Sequence, residues 1–327
     1  MRRRQLIGFA SAAAMASGAP PAQALSPSVI GFLSLFTREA VRTPFEAFLS
    51  GLAAGGYDVG RNAEIDYGWA DGVVEKLPLL AAQLVRRNPA VIVAAGGNFS
   101  AEAAKAATST IPIVFTAVSD PVRAGLVASF NKPGGNVTGV SILSHELDAK
   151  RLDLLQEMIP AARVVGALLN PKNPTAAVQR ANLESAGAAL GGRTLVIEQA
   201  GTEIEISGAI ARLVERGATA LLVGADPFFT QQRLRIVDVA RQHALPGMYQ
   251  WRQFVEAGGL ASYGPDFSDA YRQSGMYVAR ILKGEKPADL PVLQPTRFQL
   301  VLNLKVGREF GIDFNSSSLA RADEVID

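Results

Sequence analysis

The chain has 327 residues, 48% hydrophobic and 19% charged, enough to bury one large core or two smaller ones, and two domains is the better expectation at this length. Its formal net charge of +2 comes from the N-terminus: without residues 1–24, which hold three arginines and no acid, 29 basic side chains stand against 30 acidic ones. That balance argues against nucleic acid as a partner, and the absence of cysteine excludes disulfides, thiol catalysis and a lipid anchor on a cysteine.

The first residues read as an export signal. Arg2-Arg3-Arg4 precede an apolar run over residues 6–18, and Ala22-Gln23-Ala24 is a small-x-small cleavage site. The run falls short of the roughly 20 residues that a membrane span requires. Arg3-Arg4-Gln5-Leu6-Ile7 also resembles a twin-arginine signal, so either export route fits. The expectation is a mature chain that diffuses freely in the periplasm.

Residues 29–33 form a strand leaving into Ser34-Leu35-Phe36-Thr37, a first rim loop. Phe45, Phe48, Leu49 and Leu52 recur at helical spacing, and Gly55-Gly56 stop the helix. Residues 63–67 form a strand ending at Trp69, and Asp71 is placed to cap a helix with Leu77, Leu80, Ala81, Leu84 and Val85 inward. Residues 91–94 and 111–115 are unbroken apolar runs, the pattern of central parallel strands covered on both faces. The first runs into Ala95-Gly96-Gly97-Asn98-Phe99-Ser100, where glycines let a ligand approach the backbone and Ser100 is placed to cap a helix over 101–108. The second runs into Thr116-Ala117-Val118-Ser119-Asp120-Pro121. Residues 131–136 form a turn, and the strand over 137–142 leads out of the first lobe.

A second βα series begins near Glu146. Strands fit 164–169, 194–198, 220–223, 247–249 and 260–263, and helices fit 176–190, 205–216 and 231–243, after a helix with Leu152, Leu155, Met158 and Ile159 inward. Its rim loops hold Asn170-Pro171-Lys172-Asn173-Pro174, Ala225-Asp226-Pro227-Phe228-Phe229, Gln250-Trp251 and Gly264-Pro265-Asp266. Two such series in tandem predict an α/β protein of two Rossmann-like lobes with parallel sheets and a cleft between them. The helix over 267–282 and strands over 291–293 and 299–303 are then chain crossing back between lobes. The expected division is a first lobe of 25–143 plus about 266–289 and a second of 144–265 plus about 290–327.

Enzyme templates fail on inspection. The chain has no G-x-S-x-G, G-x-x-x-x-G-K-[ST] or G-x-G-x-x-G. His145-Glu146 opens like a zinc-protease helix, but Ala149 stands where the second histidine belongs, and the other histidine, His243, suits a helix C-terminus. The expectation is a binding protein with no catalytic residues, metal or cofactor. Asp120 and Asp226 precede prolines, as Asn170 and Asn173 do, and each alone reads equally as a turn initiator. All fall at strand carboxyl ends, together with Gly96, Gly97, Asn98 and Tyr263. Thr116, Ser119 and the amides near Gly97 suit a carboxylate, and Asp120 or Asp226 suits an ammonium group. Phe36, Trp69, Phe229, Tyr249 and Trp251 are candidate walls, with core packing the alternative for the tryptophans. On this reading Asp226→Ala weakens binding tenfold or more and leaves thermal stability nearly intact.

The sequence resembles the substrate-binding proteins of ABC importers, in the family similar to the tryptophan and tyrosine uptake receptors. The likeness rests on residues 65–70 (IDYGWA), 110–115 (TIPIVF), 120–122 (DPV), 131–141 (NKPGGNVTGVS), 224–229 (GADPFF) and 277–287 (YVARILKGEKP). It implies the type I periplasmic binding fold, two lobes joined by a three-stranded hinge that closes on a small organic solute, with an amino acid, aromatic amino acid or related carboxylate favoured. It further implies delivery to an inner-membrane permease driven by a cytoplasmic ATPase, by a receptor expected to be a monomer. By position in that fold, Asn98, Thr116 and Ser119 would hold the ligand carboxylate and Asp226 its amine. The alternative is a sensor of the same fold whose closed form is read by a sensor kinase.

Overall fold

The computed structural model describes residues 27–142, 147–188 and 191–327, so the export signal and His145-Glu146 lie outside the described residues. The unbroken apolar runs become strands covered on both faces. β1 (Ser28–Ser34), β2 (Ala63–Trp69), β3 (Val91–Ala95), β4 (Ile113–Val118) and β5 (Val137–Ser141) make a wholly parallel sheet in the order β2-β1-β3-β4-β5. Every residue of β3 and β4 is buried, as a central strand between two helical layers requires. Among the helices of this lobe are α1 (Arg42–Ala54), α2 (Leu77–Arg86) and α3 (Asn98–Ala107).

The second lobe carries α4 (Asp148–Met158), β6 (Val164–Leu169), α5 (Ala176–Ala188), β7 (Thr194–Gln199), α6 (Glu203–Glu215) and β8 (Ala220–Val223). It continues through α7 (Pro227–Gln231), α8 (Arg233–Gln242), β9 (Gly247–Tyr249), α9 (Arg252–Glu256) and β10 (Ala261–Pro265). The chain then forms α10 (Phe267–Leu282), β11 (Phe298–Asn303), α11 (Leu304–Glu309), α12 (Ser316–Arg321) and β12 (Glu324–Ile326). The second sheet runs β12-β11-β10-β9-β8-β6-β7, parallel except where β11 pairs antiparallel with β10. That exception departs from the expected parallel sheet and follows from topology: β11 enters from the opposite lobe.

The chain passes between lobes three times, after β5, between β10 and α10, and before β11. Although α10 lies late in the sequence, it packs on α1 of the first lobe, where the close approach depends on glycine. A Cβ on Gly275 would lie 2.2 Å from the Phe48 carbonyl oxygen, and one on Gly51 1.9 Å from that of Arg272. Phe45, Phe48 and Leu52 of α1 fill this core, each contributing roughly 1.5–3 kcal/mol by burial.

Several local expectations change. Asp71 sits at φ +55° and caps nothing; Val73 precedes a short 3-10 turn, and α2 starts at Leu77 with Pro78 in its first turn. Ser100 lies inside α3, whose cap position is Gly97. Asp226-Pro227 starts a helix earlier than expected, and a break at Gln232 separates α7 from α8. Of the strand expected over 291–293 only an isolated bridge remains, between Val140 and Leu293, because Pro291 and Pro295 offer no N–H to a ladder. Among the described residues no helix is long and apolar enough to cross a membrane.

Candidate functional site

The carboxyl edges of the two sheets face each other across a cavity of ≈ 460 Å³. That volume takes in open solvent; the space a water molecule can occupy is ≈ 30 Å³, so the lobes leave a narrow cleft between them. The first lobe contributes Phe36 after β1, Gly96 and Gly97 between β3 and α3, Asn98 and Phe99 in the first turn of α3, and Ala117 and Ser119 at the end of β4. The second contributes Asn173 and Pro174 after β6, residues 225–227 and Thr230 after β8, and Gln250 and Trp251 after β9. Ile142 and Phe267 enter from the crossings.

On the first-lobe wall the backbone is the main polar surface. Gly96 and Gly97 have φ of +102° and +81°, and a Cβ on Gly96 would lie 2.7 Å from that of Leu35. This turn presents the N-terminus of α3, where unpaired amides and the helix dipole favour an anion. The Asn98 Oδ1 accepts from the Ser119 N–H at 3.1 Å, tying that turn to the end of β4. Ala117 has φ +62° at a register shift in the β4–β5 pairing. The shift sends the Ala117 position to the cavity, while Thr116 is buried and donates to Ser274 Oγ at 2.7 Å.

On the opposite wall, Asp226 is buried and held from three directions. Its Oδ1 accepts from the Phe229 N–H at 2.9 Å and from Asn170 Nδ2 at 3.1 Å, and its Oδ2 accepts from Asn173 Nδ2 at 2.7 Å. Burial raises its pKa from the ordinary carboxylate value, against the lowering effect of these hydrogen bonds. The Phe228 N–H also acts on this carboxylate, so its acceptor positions are largely engaged within the protein. Because Asp226 also caps α7, the expectation that Asp226→Ala spares stability is corrected: the change removes a helix cap and the acceptor of the buried Asn170 amide.

Aromatic rings close the remaining sides. Trp251 lies 4.8 Å from Phe267 between ring centres, and Phe36 meets Phe267 edge-on at 6.3 Å. Trp251 is fixed by its indole N–H to Thr230 Oγ1 at 3.2 Å, an oxygen that also accepts from Gln250 Nε2 at 2.8 Å and donates to the Asp226 carbonyl at 2.9 Å. Every polar atom holding the ring wall is thereby paired, which pre-organises it. Behind it, the buried Asp148–Arg151 pair joins at 2.7 Å, and Gln179 donates to both Asp148 and the Ala225 carbonyl, supporting the Asp226 loop. Burial pushes the Asp148 carboxyl up to about 6, opposed by Arg151.

Of the expected contacts, Phe36, Gly96, Gly97, Asn98, Ser119, Asn173 and Asp226 line this cavity. Asn170 stands behind it on Asp226, and Asp120 turns to cap the Arg123 N–H at 3.0 Å. Thr37 lies at the seam between lobes, and Phe229, within α7, is fully buried. Three aromatic candidates belong to other clusters. Trp69 stacks on Tyr67 at 5.8 Å, Tyr249 on Phe254 at 4.8 Å, and Tyr263 on Phe298 at 6.3 Å. Strand alternation explains Tyr249: it points into the core, and the residues after it reach the cavity. Phe99, Thr230 and Phe267 line the cavity without having been expected. The signal for Phe267 was its place directly after a crossing, behind the capping Asp266.

Residues 29–326 match the family model described as ABC transporter substrate binding protein. The chain belongs to that family. This substrate-binding protein is 30% identical over 275 residues to a tyrosine-binding protein of Clostridioides difficile (strain R20291), covering 84% of this chain and 78% of that one. A Streptococcus pneumonia ABC domain solved in complex with L-Trp superimposes with a TM-score of 0.82 at 28% identity, over 92% of this chain and 100% of that chain. The ligand-free, open form of a substrate binding protein with adhesive properties from Clostridium difficile gives only 0.66, at 27% identity over 91% and 99%. The score for the open form is the lower of the two, at nearly equal identity and coverage. Its two-lobe design is that of type I periplasmic binding proteins.

Proposed function

We propose that this substrate-binding protein is the periplasmic receptor of an importer for an aromatic amino acid of the tryptophan and tyrosine kind, delivering it to an inner-membrane permease driven by a cytoplasmic ATPase. The observation that carries the reading is the division of labour in the interlobe cavity: a helix N-terminus on one wall, a buried carboxylate on the other, and aromatic rings between them.

The ligand carboxylate lies against the amides of α3 and the Ser119 hydroxyl, where positive dipole and hydrogen-bond donors coincide. The ammonium group pairs with the charge of the Asp226 carboxylate, which the Asn170, Asn173 and Phe229 donors hold in place. The side chain packs among Phe36, Phe99, Trp251 and Phe267, whose rings favour a flat apolar partner. A ligand touching both lobes binds the closed state preferentially, and only such a difference moves the hinge. The likeness to proteins named for tyrosine binding or solved with L-Trp supports the same class.

Calorimetry of the mature chain with L-tryptophan, L-tyrosine and L-phenylalanine tests this, with tryptamine and indole-3-propionate as analogues lacking one charged group each. The expected result is binding of at least one amino acid and loss of about tenfold or more for each analogue. Equal affinity for the analogues, or binding of none of the amino acids, refutes the assignment.

A further inference from the structure

The helix that holds Asp226 at its start carries a second device at its end. Gln231, the last residue of α7, reaches across the cleft: its Oε1 accepts from the Thr37 backbone N–H at 3.3 Å, and its Nε2 lies 3.5 Å from Thr37 Oγ1. Its Cγ packs where a Cβ on Gly72 would come within 3.3 Å. Thr37 follows β1 of the first sheet and Gln231 follows β8 of the second, 194 residues apart. Neither lines the cavity. We infer that Gln231 is an interlobe latch: a positioning residue that sets affinity by stabilising the closed state without touching the ligand.

The physical basis is linkage. Contacts made only when the lobes meet add to the closed state alone, so they raise the closed fraction in the absence of ligand and slow opening in its presence. Both contacts are long and half-exposed, so their contribution is that of weak hydrogen bonds. The five-residue α7 places Asp226, Thr230 and Gln231 on one short rigid piece, so a ligand that engages Asp226 also sets Gln231 opposite Thr37. The inference rests on the two-lobe receptor reading, but its test does not require the ligand to be correctly named.

The test is Gln231→Ala, with Gln231→Glu as the conservative variant that retains an acceptor for the Thr37 N–H. Since the chain has no cysteine, Leu79→Cys in α2 and Ile204→Cys in α6, both exposed and in different lobes, take spin labels for interlobe distances. In the ligand-free protein, Gln231→Ala is expected to lose the short-distance population, and Gln231→Glu to retain part of it. With L-tryptophan, L-tyrosine or L-phenylalanine bound, the dissociation rate should rise about three- to tenfold, by the same factor for each, with the association rate unchanged. Unchanged distances with unchanged dissociation rates overturn the latch. A change in ligand ranking also overturns it, since that places Gln231 against the ligand. If the wild-type chain binds none of these amino acids, the functional proposal fails by itself and the ligand-free distances alone decide the latch.

Discussion

Asn173 donates to Asp226 Oδ2 at 2.7 Å, and this bond joins the loop after β6 to the loop after β8 across the floor of the cavity. With Asn170 on the other oxygen, it holds a buried carboxylate in one orientation before any ligand arrives. Both asparagines sit in Asn-Pro-type turns that the sequence alone leaves ambiguous, and their amides make Asp226 a fixed acceptor.

Asp226→Asn keeps the size of the side chain and removes its charge. It is expected to weaken an amino-acid ligand by tenfold or more, because a charge-assisted bond is lost and an NH₂ group now faces other donors. Asparagine caps a helix as well as aspartate does, so the expected loss of about 1–3 kcal/mol in unfolding stability comes from the new NH₂ opposing the Asn170 or Asn173 amide and leaving a donor unsatisfied. Indole-3-propionate, which has no ammonium group, serves as the control ligand: calorimetry should show a smaller loss for it than for L-tryptophan.

The raised pKa of Asp226 predicts opposite pH trends for binding and folding. An acid whose pKa is higher folded than unfolded contributes stability that is present below its unfolded value and lost as pH rises through its folded value. Binding an ammonium group needs the ionised form, so affinity should fall on acidification, starting above the ordinary aspartate value of 3.8. Calorimetric titrations at stepped pH check this, and Asp226→Asn should flatten the profile.

Gly97→Ala probes the close approach of the lobes. Gly97 has φ +81° and ψ −155°, a region open to little besides glycine, and a Cβ there would lie 3.2 Å from Pro227 Cγ on the opposite wall. The backbone strain should cost about 1–3 kcal/mol. Since the contact with Pro227 crosses between lobes, scattering of the ligand-saturated variant should also show a larger radius of gyration than that of the wild type.

Thr116→Val separates packing from ligand contact. Its hydroxyl is spent on Ser274 Oγ inside the junction with α10. The expected loss is about 0.5–1.5 kcal/mol of stability with ligand affinity unchanged, measured by denaturant melts and calorimetry. A large loss of affinity with unchanged stability would return Thr116 to the list of ligand contacts.

Most of the architecture was legible because apolar periodicity is a local signal. The runs over 91–94 and 111–115 had to be covered on both faces, and the order of βα units led to sheets whose carboxyl edges carry the loops. Small and polar residues at those edges, Gly96, Gly97, Asn98, Ser119, Asn173 and Asp226, could be named from position alone. Composition likewise removed thiol chemistry and disulfides, since no cysteine is present.

Which neighbours those residues meet was decided only by tertiary structure. One bulge at Ala117 turned Thr116 away from the cavity, and strand parity sent Tyr249 into the core in favour of Gln250 and Trp251. Phe267 reached the site because α10, late in the chain, crosses back to pack on α1. Gln231 met Thr37 across 194 residues only because the two lobes sit close together. Periodicity reports which face of an element is buried; it carries no information on which distant element covers that face, because that choice is made by long-range packing and by the hinge.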